Sequence, residues 1–302
     1  MNRSLSVALA ATLLACPAGR GGGGARRHEF DGTRALGYVQ EQAGFGPRIP
    51  GTPAHEQAGD WIRTRLAATA DTVVVQAFTH VTRRGQKLEL RNFLARFRPA
   101  EATRVLFLAH WDTRPHADQS AEPAARRMPV PGANDGASGV AVLLGVADAL
   151  KARPPTGVGV DLLCVDGEDY GDFADSNDVL IGSHYFAAHQ PLGYPPLYAV
   201  LFDMVGDKDL DIYYEGNSQA AAPEVVERVW RTARDLGYSQ YFLPGVKHTL
   251  IDDHVALQRA GIHAIDVVDF DYPYWHTPED TIDKVAAASL QIVGDVAVAL
   301  VR

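Results

Sequence analysis

The apolar run Val158 to Val165 leads directly into Asp166-Gly167-Glu168-Asp169. Eight mostly apolar residues read as a fully buried strand, of the kind found inside a parallel sheet. Three acids sit at its end, and two of them are adjacent. A buried strand tolerates carboxylates there only if something positive meets them, because unpaired buried charge is expensive. Neighbouring carboxylates at a strand terminus suit one metal ligand beside one general base. A solvated acidic turn is the bland alternative. Three further apolar strands that end the same way tip the balance.

The first of these, Arg104 to Leu108, runs into Ala109-His110-Trp111-Asp112. His110 and Asp112 lie two residues apart, where the pleat can turn both to one side. An imidazole there can bind metal, with a carboxylate fixing its orientation. The second strand, Leu197 to Phe202, ends at Asp203. The third, Ile262 to Val268, leads into Asp269-Phe-Asp-Tyr-Pro-Tyr-Trp-His-Thr277. The aromatic residues around His276, Tyr272 and Trp275 among them, suggest a shaped pocket wall. In an open α/β sheet, sites form beyond the carboxyl ends of strands. Four strand ends carrying His or carboxylate groups point to a zinc hydrolase-like centre. Oxygen-rich ligation with one or two imidazoles suits zinc, with manganese or cobalt as alternatives.

Two loops add to this set. Pro131-Gly-Ala-Asn-Asp-Gly-Ala-Ser-Gly139 precedes a convincing helix with apolar Val140, Leu143, Leu144, Ala147 and Leu150. Asp135 is either a simple N-cap or an acidic metal ligand, and the glycines allow close backbone approach to a bound group. His248-Thr-Leu-Ile-Asp-Asp-His254 precedes helical Val255 to Ala260. Capping explains one of Asp252 and Asp253 but not both.

The remaining elements frame a single α/β domain: an open twisted mixed sheet, mainly parallel at its centre, with helices on both faces. The chain of 302 residues is 46% hydrophobic, ample for one core. Helices are expected at Thr33–Gln42, Thr52–Ala68, Leu180–His189, Pro223–Leu236 and, as a closing amphipathic helix, Ile282–Arg302. Thr72–Phe78 and Leu88–Phe97 form an antiparallel edge pair. Gly44-Phe-Gly-Pro-Arg-Ile-Pro-Gly51 is a loop. Asp207, Asp209 and Asp211 alternate like exposed acids. Cys164 reads as a small buried hydrophobe. The net charge of −9, with no basic stripe, excludes nucleic acid as a natural partner.

The first residues stand outside this domain. Arg3 precedes an apolar run from Leu5 to Leu14, too short to span a bilayer but suited to a secretory signal. Leu13-Leu14-Ala15-Cys16 resembles the bacterial lipobox, in which the cysteine is acylated. Residues 1–16 are then a lipoprotein-type signal peptide, 17–28 a flexible tether with four consecutive glycines, and 29–302 the catalytic domain. An ordinary cleaved signal with a chance cysteine is the alternative. Both export the protein, and the first anchors it to a membrane facing the periplasm.

In order along the chain, His110-Trp-Asp, Gly132-Ala-Asn-Asp-Gly-Ala-Ser-Gly, Gly167-Glu-Asp-Tyr, Asp203-Met-Val-Gly, Asp252-Asp-His and Trp275-His-Thr resemble the zinc aminopeptidase family. More narrowly, the set resembles its glutaminyl cyclase branch, in particular the bacterial enzymes of animal type. The likeness runs from about Gly44 to the C-terminus. It implies that Asp135, Asp169 and His276 hold zinc, that Glu168 is the general acid/base, and that Asp203 and Asp252 are its hydrogen-bonded partners. It implies Trp275, with Tyr272, at the substrate. A cyclase would use one zinc to convert the N-terminal glutamine of peptides to pyroglutamate, releasing ammonia. An aminopeptidase would use two, adding His110 and Asp203 as ligands, with Asp112 behind them. The Asp252-Asp253-His254 triplet, the Tyr-Pro-Tyr-Trp lead into His276 and Arg114 favour the cyclase. Asp169 departs from the family's usual Glu. Ala174 stands where animal cyclases carry a pocket Trp. A non-catalytic peptide-binding lipoprotein is a third reading, disfavoured by the intact Glu168.

Overall fold

The computed structural model describes residues 28–173, 177–191, 194 and 196–302. The expected signal segment, Cys16, all but the last residue of the tether, and Ala174 lie outside the described residues.

Six strands form one sheet in the order β1-β2-β4-β3-β5-β8. β1 (Thr72–Val81) and β2 (Lys87–Phe97) are the antiparallel edge pair, and β2 also runs antiparallel to β4 (Gly159–Val165). From β4 through β3 (Arg104–His110), β5 (Ala199–Asp203) and β8 (Ala264–Val268) every pairing is parallel. Parallel strands point their carboxyl ends the same way, so the four acidic or histidine-bearing termini emerge on one rim.

Alternation along these strands separates two cores. Phe93, Phe107, Cys164, Val200 and Phe202 face the large core, shared with residues of helices α1 (Gly32–Gly44), α2 (Pro53–Thr69), α3 (Ala137–Ala152), α6 (Pro223–Leu236) and α8 (Ala287–Ala299). Leu94, Leu106, Leu108, Leu163 and Leu201 face the other, shared with Phe186 of α4 (Ile181–Ala188) and Leu257 of α7 (Asp253–Arg259). Every residue of β3, β4 and β5 is buried, as strands covered on both faces require.

The structure departs from the sequence reading at the C-terminus. In place of one amphipathic helix over 282–302, a 3₁₀ turn at Ile282–Lys284 precedes α8, which is buried almost throughout because it packs against α1 and α3. β6 (Ile212–Glu215) and β7 (Phe242–His248) form a separate two-stranded parallel sheet that the sequence did not announce. α5 (Gly216–Ala221) follows β6 directly. Asp207, expected on the surface, is buried.

Candidate active site

Asp135 is not an N-cap. The cap of α3 is Gly136, at φ +87°, and no side chain caps the N–H groups of the first turn. A Cβ on Gly136 would meet the Asp112 carbonyl at 2.8 Å, so only glycine lets the loop lie this close to β3. With capping excluded, the Asp135 carboxylate is free for other work. It meets His110 from β3, Asp203 from β5, and His276 from the loop after β8.

Two groups of potential metal ligands share this aspartate. Asp135, Asp169 and His276 converge, and so do His110, Asp135 and Asp203. His276 Nε2 lies 3.3 Å from Asp169 Oδ1 and 3.6 Å from Asp135 Oδ2. His110 Nε2 lies 3.2 Å from both Asp135 Oδ1 and Asp203 Oδ1. All five residues are buried. Asp135 Oδ2 and Asp169 Oδ2 are buried with no hydrogen-bond partner in the protein. Buried carboxylate oxygens are rarely left so, and two of them beside an imidazole fit a zinc ion's oxygen and nitrogen donors. His276 holds its place at φ +53°, in the left-handed region, a strain characteristic of functional positions.

The three acids after β4 have different fates. Asp166 turns inward, where its carboxylate bonds His55 Nε2 at 2.8 Å and accepts the Arg91 amide. Glu168 and Asp169 turn to the rim, their backbone N–H groups donating to the two oxygens of Asp112. Asp112 therefore fixes the turn that presents them. It also lies 3.6 Å from His110 Nδ1.

A cavity of about 280 Å³ opens over these groups. Its floor is Asp135, Glu168, Asp203, Asp252 and His276, and its walls include Phe173, Leu250, Phe270 and Trp275. Of the two aromatic residues expected at the substrate, Trp275 lines this cavity and Tyr272 does not. The Tyr272 hydroxyl instead donates to Asp280 at 2.7 Å. Of the paired acids, Asp252 lines the cavity and Asp253 is fully buried behind it. A wider groove of about 610 Å³ between β1 and α4 contains none of these acids.

Burial and crowding dominate the electrostatics. Burial, then the Asp252 charge, raises the Glu168 carboxyl well above its usual range. Burial and Asp203 raise Asp252 to about 7. Burial opposes protonation of His276, but Asp169, Asp118 and Asp135 outweigh it and lift the imidazole to about 9. A cation bound among these groups works in the opposite direction on each.

Several supporting residues carried no recognisable sequence signal. Arg48, in the Gly/Pro loop, is fully buried and donates to the carbonyls of Trp111, Pro131 and Gly132. Asp280 accepts the amides of Asn134 and Asp135. The loop that carries Asp135 is thus held by its carbonyls on one side and its N–H groups on the other. Phe173 occupies the cavity wall one residue before Ala174. Arg114, which the sequence did single out, bonds Asp169 at 2.7 Å.

Residues 92–301 match the sequence pattern of Peptidase family M28. The chain belongs to Peptidase family M28. Within the family's fold, the glutaminyl cyclase of Porphyromonas gingivalis is 36% identical, with a TM-score of 0.87 covering 91% of this chain and 98% of that one. A Zn-dependent exopeptidase from Parabacteroides distasonis is 35% identical, with a TM-score of 0.86 covering 89% and 97%. Aminopeptidase YwaD of Bacillus subtilis is 28% identical over 209 residues, 65% of this chain. This M28 chain spans only 40% of the length of that relative.

Proposed function

We propose that this M28 protein is a zinc-dependent glutaminyl-peptide cyclotransferase, acting on peptides or proteins that begin with glutamine. The observation that carries this reading is the placement of the paired acids. Asp252, the extra acid of the cyclase-like triplet, is the one that lines the cavity, while Asp253 lies behind it. Likeness to a glutaminyl cyclase over nearly the whole of both chains supports it.

Asp135, Asp169 and His276 would hold one zinc ion, which when bound supplies Lewis-acid polarisation of the substrate's γ-carbonyl. Glu168 takes the proton from the attacking α-amine and returns it to the departing ammonia, so one carboxyl serves both halves of the reaction. Asp203 and Asp252 accept the remaining amine N–H bonds and aim the nitrogen at the carbonyl carbon. Phe173, Phe270 and Trp275 hold the side chain folded and keep water from competing. The cavity volume of about 280 Å³ is at the lower edge of ligand pockets, roughly 300–1,000 Å³, as befits a site for one residue. Nucleophile and electrophile belong to that residue, so proximity assists closure.

One observation favours a second reading. His110, Asp135 and Asp203 form a further ligand group sharing Asp135, as a two-metal aminopeptidase would need. Presenting Gln-initiated and Leu-initiated peptides separates the two. Ammonia release with pyroglutamate from the first and no free leucine from the second is expected; efficient leucine release without cyclisation would overturn the cyclase reading.

The lipobox-like Leu13-Leu14-Ala15-Cys16 supports export and membrane anchoring on the periplasmic side. Cys16→Ser then moves the protein to the soluble exported fraction with catalysis intact. A wild type already wholly soluble would make the match a chance one.

A further inference from the structure

Arg114 stands four residues beyond His110, in the loop that leaves β3, and its side chain is only 6% exposed. Its guanidinium makes three kinds of contact at once. Nη1 donates to Asp169 Oδ1 at 2.7 Å. Nε and Nη2 donate to the two oxygens of Asp118, each at 2.9 Å, and Asp118 Oδ1 in turn lies 3.1 Å from His276 Nδ1. Its Cζ lies over the Phe173 ring, 5.6 Å from the centroid, and Phe173 is a wall of the acid-floored cavity. One side chain therefore touches Asp169, reaches His276 through one intermediary, and backs an aromatic wall of the substrate cavity.

We propose that Arg114 is a positioning residue that sets two metal ligands, Asp169 and His276, and the Phe173 wall of the cavity in one fixed arrangement. The inference rests on the reading of Asp135, Asp169 and His276 as the metal ligands. By occupying Oδ1, Arg114 fixes the rotation of the Asp169 carboxylate and leaves Oδ2 as the oxygen without a protein partner. By anchoring Asp118 bidentately, it holds a carboxylate at the His276 ring nitrogen that does not face the acids. Nδ1 makes no hydrogen bond of good geometry in the protein, but a carboxylate 3.1 Å away favours the tautomer protonated there, which leaves the Nε2 lone pair for a metal. Only a guanidinium serves both partners: its fork binds Asp118 with two parallel bonds while a further N–H reaches Asp169. A lysine ammonium at this place satisfies one partner or the other.

The contact with Phe173 makes the arrangement two-sided. A guanidinium pinned by two carboxylates is a fixed platform, and a ring resting on it inherits that rigidity. Loss of Arg114 then affects both metal retention and the fit of the substrate's side chain, through different neighbours.

The test measures zinc affinity by chelator competition and KM for the peptide that wild type turns over, in Arg114→Met, Arg114→Lys, Asp118→Asn and Phe173→Leu. Supporting interactions of this kind change metal affinity by roughly 10–100-fold. Arg114→Met is expected to weaken zinc binding by about that factor and to raise KM. Arg114→Lys recovers only part of either. Asp118→Asn, at a side chain 42% exposed that can change without disturbing the core, weakens zinc but leaves KM near wild type. Phe173→Leu does the reverse, and adding it to Arg114→Met raises KM no further. If wild type binds zinc tightly and folded Arg114→Met and Asp118→Asn bind it equally well, the positioning role is overturned and the ligand assignment stands. A wild type that binds no zinc overturns both. Equal KM in wild type and Arg114→Met removes the link to the cavity wall.

Discussion

Asp280 Oδ2 accepts the Asp135 backbone N–H at 3.1 Å, while its other oxygen accepts that of Asn134 at 2.8 Å, across more than 140 residues of chain. One fully buried carboxylate thus fixes the loop whose aspartate stands in both groups of potential ligands. Asp280→Ala leaves two buried N–H groups and the Tyr272 hydroxyl without their acceptor. An unmet buried donor costs about 1–3 kcal/mol. Chemical denaturation of the metal-free protein is expected to show a loss of about 2–5 kcal/mol, and zinc retention falls with it.

Ligand replacement tests the metal assignment. His276→Ala removes one donor of three, so the purified protein should lose most of its zinc and its activity in parallel. His110→Ala should keep stoichiometric zinc if a single ion is bound. Metal analysis showing two zincs in wild type and one in His110→Ala would give the site to the aminopeptidase reading.

Glu168→Gln keeps the shape of the cavity floor and cannot carry a proton. It is expected to fold, to bind zinc as wild type does, and to lose about two to four orders of magnitude in kcat. A rate within tenfold of wild type would remove Glu168 from the proton path.

Glu215 supplies a pH prediction away from the metal ligands. Its carboxylate bonds His254 Nε2 at 3.0 Å, caps α5 through the Asn217 and Ser218 amides, and accepts the Leu250 amide at the cavity wall. Burial pushes its pKa up, but His254 and these donors outweigh burial and hold it at about 2. A carboxyl lowered in the folded state stabilises fully above its unfolded value, and the contribution fades as pH falls toward the folded one. From about 4.5 to about 2, the depression corresponds to about 3 kcal/mol. Glu215→Gln should be less stable than wild type near neutrality, the gap closing as pH drops through that window. A gap that does not change between pH 5 and pH 2 would contradict this.

The sequence made the sheet legible because its central strands are continuous apolar runs, and each ends where a carboxylate or imidazole begins. Asp169, Asp203 and His276 were readable for that reason, and Glu168 with them. The supporting layer was not. Arg48 and Asp280 act through backbone groups more than 60 residues away, and no local pattern encodes such a contact. Tyr272 looked like a pocket residue from its aromatic neighbours, yet its hydroxyl is taken by Asp280. β6 and β7 escaped notice because they are short or largely exposed, and Pro244 and Gly245 interrupt β7. Phe173 lies in an irregular stretch whose path no periodicity sets, so its place in the cavity wall depends on the folded loop.

The long reach between Asp280 and Asp135 also sets a timetable. When Asp135 and Asp169 have left the ribosome, Asp280, which holds the Asp135 backbone, and His276, the third candidate ligand, have yet to be made. No nascent fragment ending before Asp280 contains the finished cradle, so the candidate metal centre is completed late, by the last tenth of the chain. Metal capture is then an event of the full-length protein, in whichever compartment that protein first folds.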